Sequence, residues 1–133
     1  MTRDNFKRIP ALHRQIEHDR AHLVYLREKA TCIPSSASGS PDRVQTSVSN
    51  HAGYYVDAAA DLAREIRALE TELQGLQDQA AGFIRTLSDG TARRLMTYRY
   101  IECLSWTEAA DLIGYTVRHA HRLENDVLNT LET

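Results

Sequence analysis

Proline, cysteine and long apolar runs are all scarce in this chain. It has three prolines and two cysteines among 133 residues. Few prolines leave long stretches free to form helices, because proline lacks the backbone N–H that a helix interior uses. Cys32 and Cys103 lack metal-ligand spacing and are expected to be reduced thiols. No apolar run approaches the roughly 18 residues that a membrane span requires, and MTRDNFKRIP has no signal-peptide pattern. We therefore expect a cytoplasmic protein that does not enter a membrane.

Motifs of enzyme active sites are also missing from the sequence. It has no Gly-rich phosphate loop, no Ser/His/Asp or Cys/His arrangement, and no carboxylate pair in a plausible pocket. His18 and His22 are four residues apart, but no third ligand follows at a fixed spacing. We therefore expect a protein that is not an enzyme and that binds neither a metal nor a cofactor.

The net charge of −2 conceals a segregation of charge along the chain. Residues 1–31 carry seven Lys or Arg and four acids, residues 32–90 carry four and eight, and residues 91–133 carry five and six. A nucleic-acid-binding protein usually shows a basic stripe. The span from Arg93 to Arg122, with five arginines and three acids, comes nearest to one.

Two stretches of the chain repeat an apolar residue every three or four positions, which is the heptad spacing of coiled-coil helices. The longer seam consists of Ala59, Leu62, Ile66, Leu69, Leu73, Leu76, Ala80, Phe83 and Leu87. The shorter seam consists of Ile9, Leu12, Ile16, Leu23, Leu26 and Ala30, with Asp19 as a polar interruption. Two such helices in one chain pack most simply as an antiparallel hairpin.

Helix-breaking residues predict where these two helices begin and end. Pro10 suits a first helical turn, so the first helix is expected to start near Lys7–Ile9 and to end at about Thr31. The second is expected to run from about Gly53 to Leu87. The segment between them, CIPSSASGSPDRVQTSVSNHAG, is rich in Ser, Pro and Gly. It predicts a disordered or mobile linker over about 32–53. A peptide that orders on a partner remains the alternative.

Capping signals divide the C-terminal part into three short helices. Ser88-Asp89-Gly90 ends the long helix, and a helix over 91–103 is expected to bury Leu95, Tyr98 and Ile101. Ser105 and Glu108 form a capping box, in which a hydroxyl and a carboxylate satisfy backbone N–H groups at a helix start. That helix spans Trp106–Ile113, after which Gly114 allows a left-handed turn. Thr116 caps the last helix, which runs to about Leu131.

Two short helices joined by a glycine turn form a helix-turn-helix. Ala109 and Ala110 are small enough to let the helices cross closely. The last helix is expected to bury Ala120, Leu123, Val127 and Leu131, which leaves a polar face for DNA. Our candidate DNA-binding residues on that face are Thr116, Arg118, His119, His121, Arg122 and Asn125. Arg118 and Arg122 share one side, and arginine can read guanine in the major groove.

The segment YRYIECLSWTEAADLIGYTVRHAHRLENDVLNTL resembles region four of bacterial sigma factors, with its aromatic helix, capped short helix, leucine, glycine turn and recognition helix. The whole chain resembles small phage-encoded late-transcription regulators of the ArpU/RinA-like group. Those proteins join a helical N-terminal half to a sigma-like helix-turn-helix through a linker that contains Val-x-Ser, to which Arg43-Val44-Gln45-Thr46-Ser47 corresponds here. The resemblance implies DNA binding in transcription control, with Thr116, Arg118, His119 and Arg122 facing DNA. Cys103 stands where the pattern usually has glycine, and Ala109 and Ala120 replace larger aliphatic residues.

The sequence therefore predicts an all-α protein in two parts. Residues 1–90 form a long antiparallel helical hairpin, and residues 91–133 form a three-helix module with the helix-turn-helix. The expected function is a phage- or prophage-derived regulator that reads the major groove with the helix 116–131. The expected partners are double-stranded DNA, RNA polymerase and a second copy bound through the heptad helices. The alternative is a coiled-coil assembly module, such as a phage packaging or polymerase-associated protein, without sequence-specific DNA readout.

Overall fold

Five α-helices form the part of the chain that the structure, a computed structural model, describes. It describes residues 1–31 and 41–132, of which 41–51 and 132 are described by their backbone alone. The helices are α1 (Arg3–Thr31), α2 (Pro41–Arg85), α3 (Gly90–Met96), α4 (Trp106–Ile113) and α5 (Val117–Asn129). A π-helical turn, Thr97–Ile101, continues α3, and a 3₁₀ turn, Thr130–Glu132, follows α5. The described residues include no strand, so the all-α prediction is confirmed. Within them, no helix combines the length and the apolarity that crossing a membrane requires.

The first helix begins earlier than the sequence suggested. It starts at Arg3, so Pro10 lies in its interior rather than in its first turn. The prediction of a start near Lys7–Ile9 was wrong, because it gave Pro10 too much weight. Proline inside a helix removes one backbone hydrogen bond, at a cost of about 3 kcal/mol. Burial of Phe6 and Ile9, both 0% exposed, offsets that cost.

The second helix also begins earlier than predicted. It starts at Pro41 rather than at about Gly53 and ends at Arg85 rather than at Leu87. Proline is well suited to a helix start, where its missing N–H has no partner to lose. The predicted linker over about 32–53 is therefore wrong for residues 41–53, which are helical. Residues 32–40 lie outside the described residues.

The chain divides into two compact units at positions that differ from the predicted division at residue 90. The first, which we call the helical-pair unit, is Gln15–Glu70. Among its described residues, the buried apolar ones come from the predicted seams of α1 and α2, and they are Ile16, Leu23, Leu26, Ala59 and Ile66. Arg20 Nη2 and Glu70 Oε1 lie 3.1 Å apart and link the two helices. Asp19, the polar residue that interrupts the first seam, is buried. Its carboxylate accepts a hydrogen bond from Gln15 Nε2 at 2.9 Å.

The second, which we call the C-terminal unit, combines Met1–Arg14 with Thr71–Thr133. The start of α1 and the end of α2 thus pack with the short helices. Their common core consists of Phe6, Ile9, Ala80, Ile84, Ala92, Met96, Tyr100, Val127 and Leu128. Phe6 meets Phe83 and Tyr100 edge to face, with ring centroids 5.6 and 4.9 Å apart. Aromatic pairs favour this arrangement.

The π-helical turn changes which residues after α3 enter the core. Glu102 N–H donates to Thr97 O five residues back, so the turn is one residue wider than an α-helical turn. Tyr100 is buried as a result, whereas Tyr98 and Ile101, predicted to face inward, are half-buried. Gln77 of α2 holds the end of this turn, because its Nε2 donates to Tyr100 O at 2.9 Å and Ile101 O at 3.1 Å.

Candidate nucleic-acid interface

Ser105 caps α4 as the sequence predicted, but among the described residues the Glu108 carboxylate accepts a hydrogen bond from the Ser105 hydroxyl rather than from the backbone N–H expected in a capping box. Ser105 Oγ accepts a hydrogen bond from Glu108 N–H at 3.1 Å, and the Ser105 hydroxyl donates to Glu108 Oε1 at 3.0 Å. A cap of this kind stabilises a helix by about 1 kcal/mol. The start of α4 is therefore fixed by its own sequence.

The turn between α4 and α5 has the hydrogen bonds of a Schellman motif. Gly114 has a φ of 75°, in the left-handed region that glycine adopts without strain. Tyr115 N–H donates to Ala110 O at 2.9 Å, and Gly114 N–H donates to Asp111 O at 3.1 Å. Thr116 then caps α5, because its Oγ1 accepts a hydrogen bond from His119 N–H at 3.1 Å. These bonds end α4 and start α5 within a few residues.

A small apolar cluster places α5 against the neighbouring helices. Leu95 of α3, Ala109 and Ala110 of α4, and Ala120 of α5 are all buried together. Each is at most 1% exposed. The three alanines allow the helices to approach closely, as the sequence indicated. With Ala120 inside, the opposite side of α5 is left to solvent.

The two candidate arginines of α5 are exposed and have no partner among the residues that the structure describes. Arg118 and Arg122 are four residues apart, so they lie on one side of the helix. Neither forms a hydrogen bond or an ion pair with any residue that the structure describes. No acidic residue occurs between Leu112 and Leu123, whereas Asp126 is exposed one turn beyond Arg122. The positive charge of α5 is therefore concentrated in its first two turns.

The two candidate histidines are exposed but are supported by aromatic side chains. The His119 ring stacks on Tyr115, with centroids 4.4 Å apart and planes at 22°. The His121 ring lies 3.9 Å from Trp106, with planes at 33°. Arg99 extends this second stack, because its guanidinium lies 4.3 Å from the Trp106 ring. Such contacts restrict the histidine side chains before any ligand arrives.

The last candidate, Asn125, is exposed but already has a partner. Its Oδ1 accepts a hydrogen bond from Arg3 Nη2 at 2.7 Å, and Arg3 Nη1 also donates to Asn129 Oδ1 at 3.2 Å. Arg3 therefore holds Asn125 to α1. Thr116, Arg118, His119, His121 and Arg122 are thus exposed at the start of α5, and Asn125, about one turn further along, is engaged by Arg3.

A partly buried carboxyl lies behind this surface, on the inner side of α5. Tyr100 donates from its hydroxyl to Glu124 Oε1 at 2.7 Å. Burial raises the pKa of the Glu124 carboxyl, although the Tyr100 hydrogen bond and the nearby cations Arg99, His121 and Arg3 act in the opposite direction. Burial also raises the pKa of Tyr100, so its phenol remains protonated and continues to donate. This hydrogen bond links the π-helical turn to α5.

Comparison with protein-family models, curated proteins and solved structures found no match to the chain. The case for a function therefore depends on the geometry and charge of α4, α5 and the groups around them. Within the described residues, no group of three His, Cys, Asp or Glu side chains could hold a metal ion.

Sequence reasoning did not identify three residues that shape the surface. Arg99 and Tyr115 support the histidines, and Arg3 engages Asn125. The Tyr115–His119 spacing of four residues was a usable signal, because such residues share a helical side. Arg3 lies 122 positions from Asn125, and no local pattern in the sequence links them.

Proposed function

We propose that this protein is a DNA-binding regulator of transcription, derived from a phage or prophage and acting in the cytoplasm. In this proposal α4, the Gly114 turn and α5 act as a helix-turn-helix, and α5 enters the major groove. The observation that carries the proposal is the pair of exposed, unpaired arginines in the first two turns of a capped helix. The first turns of a recognition helix are those that reach base edges.

The chemistry of this surface favours a nucleic acid over a neutral ligand. Arginine donates in a planar fork that matches the O6 and N7 acceptors of guanine. Because Arg118 and Arg122 have no partner among the described residues, no internal ion pair must break before they bind. Thr116 uses its oxygen as a cap, and its hydroxyl hydrogen remains available to a phosphate.

A second copy of the chain and RNA polymerase are the protein partners that we propose. Helix-turn-helix proteins often bind DNA as dimers whose two recognition helices contact successive major grooves. The heptad helices are our candidate for the dimer contact. RNA polymerase enters the proposal through the resemblance to sigma-factor region four.

A second candidate function, a coiled-coil assembly module, is favoured by apolar side chains outside the proposed DNA surface. Val24, Tyr25, Tyr54 and Val56 of the helical-pair unit are between 47% and 67% exposed. Grouped exposed apolar side chains often mark protein contacts, and these four form two pairs of near neighbours along the chain, one in α1 and one in α2. In this alternative the C-terminal helices bind protein rather than DNA.

Replacement of Arg118 tests the proposed function directly. A preferred site is first selected from a random duplex pool with the full-length chain. We expect Arg118→Ala to weaken binding to that site by roughly 1–3 kcal/mol, with a smaller loss on random DNA, because a base contact is lost. Fluorescence anisotropy with both duplexes measures the two losses.

Arg27→Ala is the matched control for this experiment. Arg27 is an exposed arginine of the helical-pair unit, and its replacement removes the same charge. We expect it to leave the preference for the selected site unchanged. Equal losses for Arg118→Ala on selected and random DNA would show that Arg118 does not read bases.

A further inference from the structure

Three arginines surround a groove on the outer side of α3 that the proposed recognition helix does not use. This arginine groove is lined by Arg85, Arg93, Arg94, Thr97 and Tyr98, together with Ile84 and Gly90. Its volume is about 540 Å³, so it is larger than a single phosphate group. None of the described residues that line it is acidic. Its walls therefore carry positive charge alone.

Two of these three arginines have no partner of their own. Arg93 donates from Nη1 to Leu87 O at 2.8 Å, which anchors its side chain. Arg85 and Arg94 are exposed and make no hydrogen bond or ion pair within the described part of the chain. Arg8 of the same unit, in contrast, pairs with Glu72 at 2.6 Å. Like charges repel each other, and an anion in the groove would relieve that repulsion.

The acid nearest in sequence, Asp89, forms no ion pair with these arginines among the described residues. The Asp89 carboxylate accepts a hydrogen bond from Thr91 N–H at 3.0 Å, and in this way it caps α3. The Thr97 hydroxyl is also engaged, because it donates to Arg93 O at 2.8 Å. The Tyr98 hydroxyl has no hydrogen-bond partner among the described residues. The groove residues whose side-chain donors have no partner among the described residues are thus Arg85, Arg94 and Tyr98, and Arg93 uses only its Nη1.

Guanidinium and phenol donors are among the groups that bind the phosphate oxygens of DNA. The groove also lies on the element that supports the proposed reading helix. Tyr98 lines the groove and packs against the cluster of Leu95, Ala109, Ala110 and Ala120 that holds α5 in place. α3 contacts both α4 and α5. Phosphate strands flank a major groove that is about 12 Å wide, so they pass beside the helices that hold a recognition helix.

We infer that the arginine groove is a second DNA-contact site, which binds the sugar–phosphate backbone of the duplex whose major groove receives α5. This inference rests on the proposed function and extends it to a site that carries no sequence information. Arg85 and Arg94 bind phosphates here, and Arg118 reads bases.

The salt dependence of binding separates this role from base reading. Each phosphate that a protein neutralises adds about 0.9 to the slope of log affinity against log salt concentration. We expect Arg94→Ala in the full-length chain to lower that slope by about 1. Relative to a reference at 1 M salt, a slope smaller by about 0.9 corresponds to about a fivefold loss of affinity at 0.15 M salt. The loss is equal on the selected duplex and on random duplex, and Arg94→Lys restores the slope because it restores the charge.

The control and the wild type separate failure of this inference from failure of the proposed function. Arg27→Ala removes one positive charge from the other unit and is expected to keep the wild-type slope. If Arg94→Ala keeps that slope while the wild type binds duplex DNA, the arginine groove is not a phosphate site and the proposed function stands. If the wild type binds no duplex even at low salt, both proposals are overturned. A lower slope for Arg94→Ala but not for Arg27→Ala supports the arginine groove.

Discussion

Cys103 has a φ of 56°, a left-handed backbone conformation that residues other than glycine rarely adopt. The chain leaves the π-helical turn at this residue, and the next residue, Leu104, donates its N–H to Tyr98 O at 2.8 Å. A cysteine here therefore adopts a conformation typical of glycine, at a cost of roughly 1–2 kcal/mol. Gln77 Nε2 lies 3.5 Å from the Cys103 sulfur and supplies a partly compensating contact.

Glu124 is a carboxyl that folding transfers into a partly buried position. Burial raises the pKa of this carboxyl, and the Tyr100 hydrogen bond offsets the effect only in part. The folded chain therefore retains a proton that the unfolded chain has already released. It follows that this group makes folding more favourable at low pH and less favourable as the pH rises. The change begins near the ordinary glutamate pKa of about 4.3 and ends above the raised pKa.

Glu124→Gln is expected to remove this dependence on pH. Glutamine can still accept the Tyr100 hydroxyl hydrogen, and it carries no charge at any pH. We expect the free energy of unfolding of the variant, relative to the wild type, to rise as the pH increases from about 4 to 8. Urea denaturation at a series of pH values measures this difference. A difference that is constant across the series would contradict the assigned role of burial.

Helices α4 and α5 show what the sequence predicts best in this protein. Ser105, Gly114 and Thr116 act through their nearest neighbours along the chain, so their capping roles could be inferred without a structure. The start of α1 could not, because burial of Phe6 against α2 and the π-helical turn outweighs the local effect of Pro10. The position of this helix start therefore depends on contacts between segments that are distant in the sequence.

The close approach of α4 to its neighbours makes Ala110 a sensitive position. Ala110 is 1% exposed and packs with Ala109, Leu95 and Ala120. We expect Ala110→Leu to lower the free energy of unfolding by about 1–3 kcal/mol, because the added carbon atoms have no space. We also expect weaker DNA binding, since α5 must shift. Urea denaturation and anisotropy measure the two effects.

Thr107→Leu provides the comparison on the same helix. Thr107 is exposed, so a leucine there adds the same side chain without crowding the helix crossing. We expect the free energy of unfolding of this variant to stay within about 0.5 kcal/mol of the wild type. Equal destabilisation by both substitutions would argue against close packing as the cause.

Across the whole chain, the sequence located the apolar seams, whereas the two compact units divide at positions other than residue 90. The residues of both seams face inward in each unit. The start of α1 nevertheless belongs with the C-terminal helices, because Phe6 and Ile9 share a core with Val127 and Leu128. These residues lie more than a hundred positions apart, and periodicity carries no information about such pairings.

The candidate site was predictable to a similar extent. Helical spacing sufficed to place Arg118 and Arg122 on one exposed side, because both lie opposite Ala120. It could not show that Asn125 is held by Arg3, or that Arg85 meets Arg93 and Arg94 around one groove. Both arrangements depend on how α1, α2 and α3 pack together.

The net charge of the whole molecule is −2. The C-terminal unit nevertheless exposes arginines that have no partner among the described residues. Net charge is therefore a weak guide to the partner of this protein. The proposal of DNA binding therefore depends on the local arrangement of those arginines. It predicts that the full-length chain binds duplex DNA with an affinity that falls steeply as salt rises from about 50 to 200 mM, since bound counterions are released. Fluorescence anisotropy of a labelled duplex across this range is the most direct test. A steep negative slope is the predicted result, and binding that is absent at low salt or independent of salt would contradict the account.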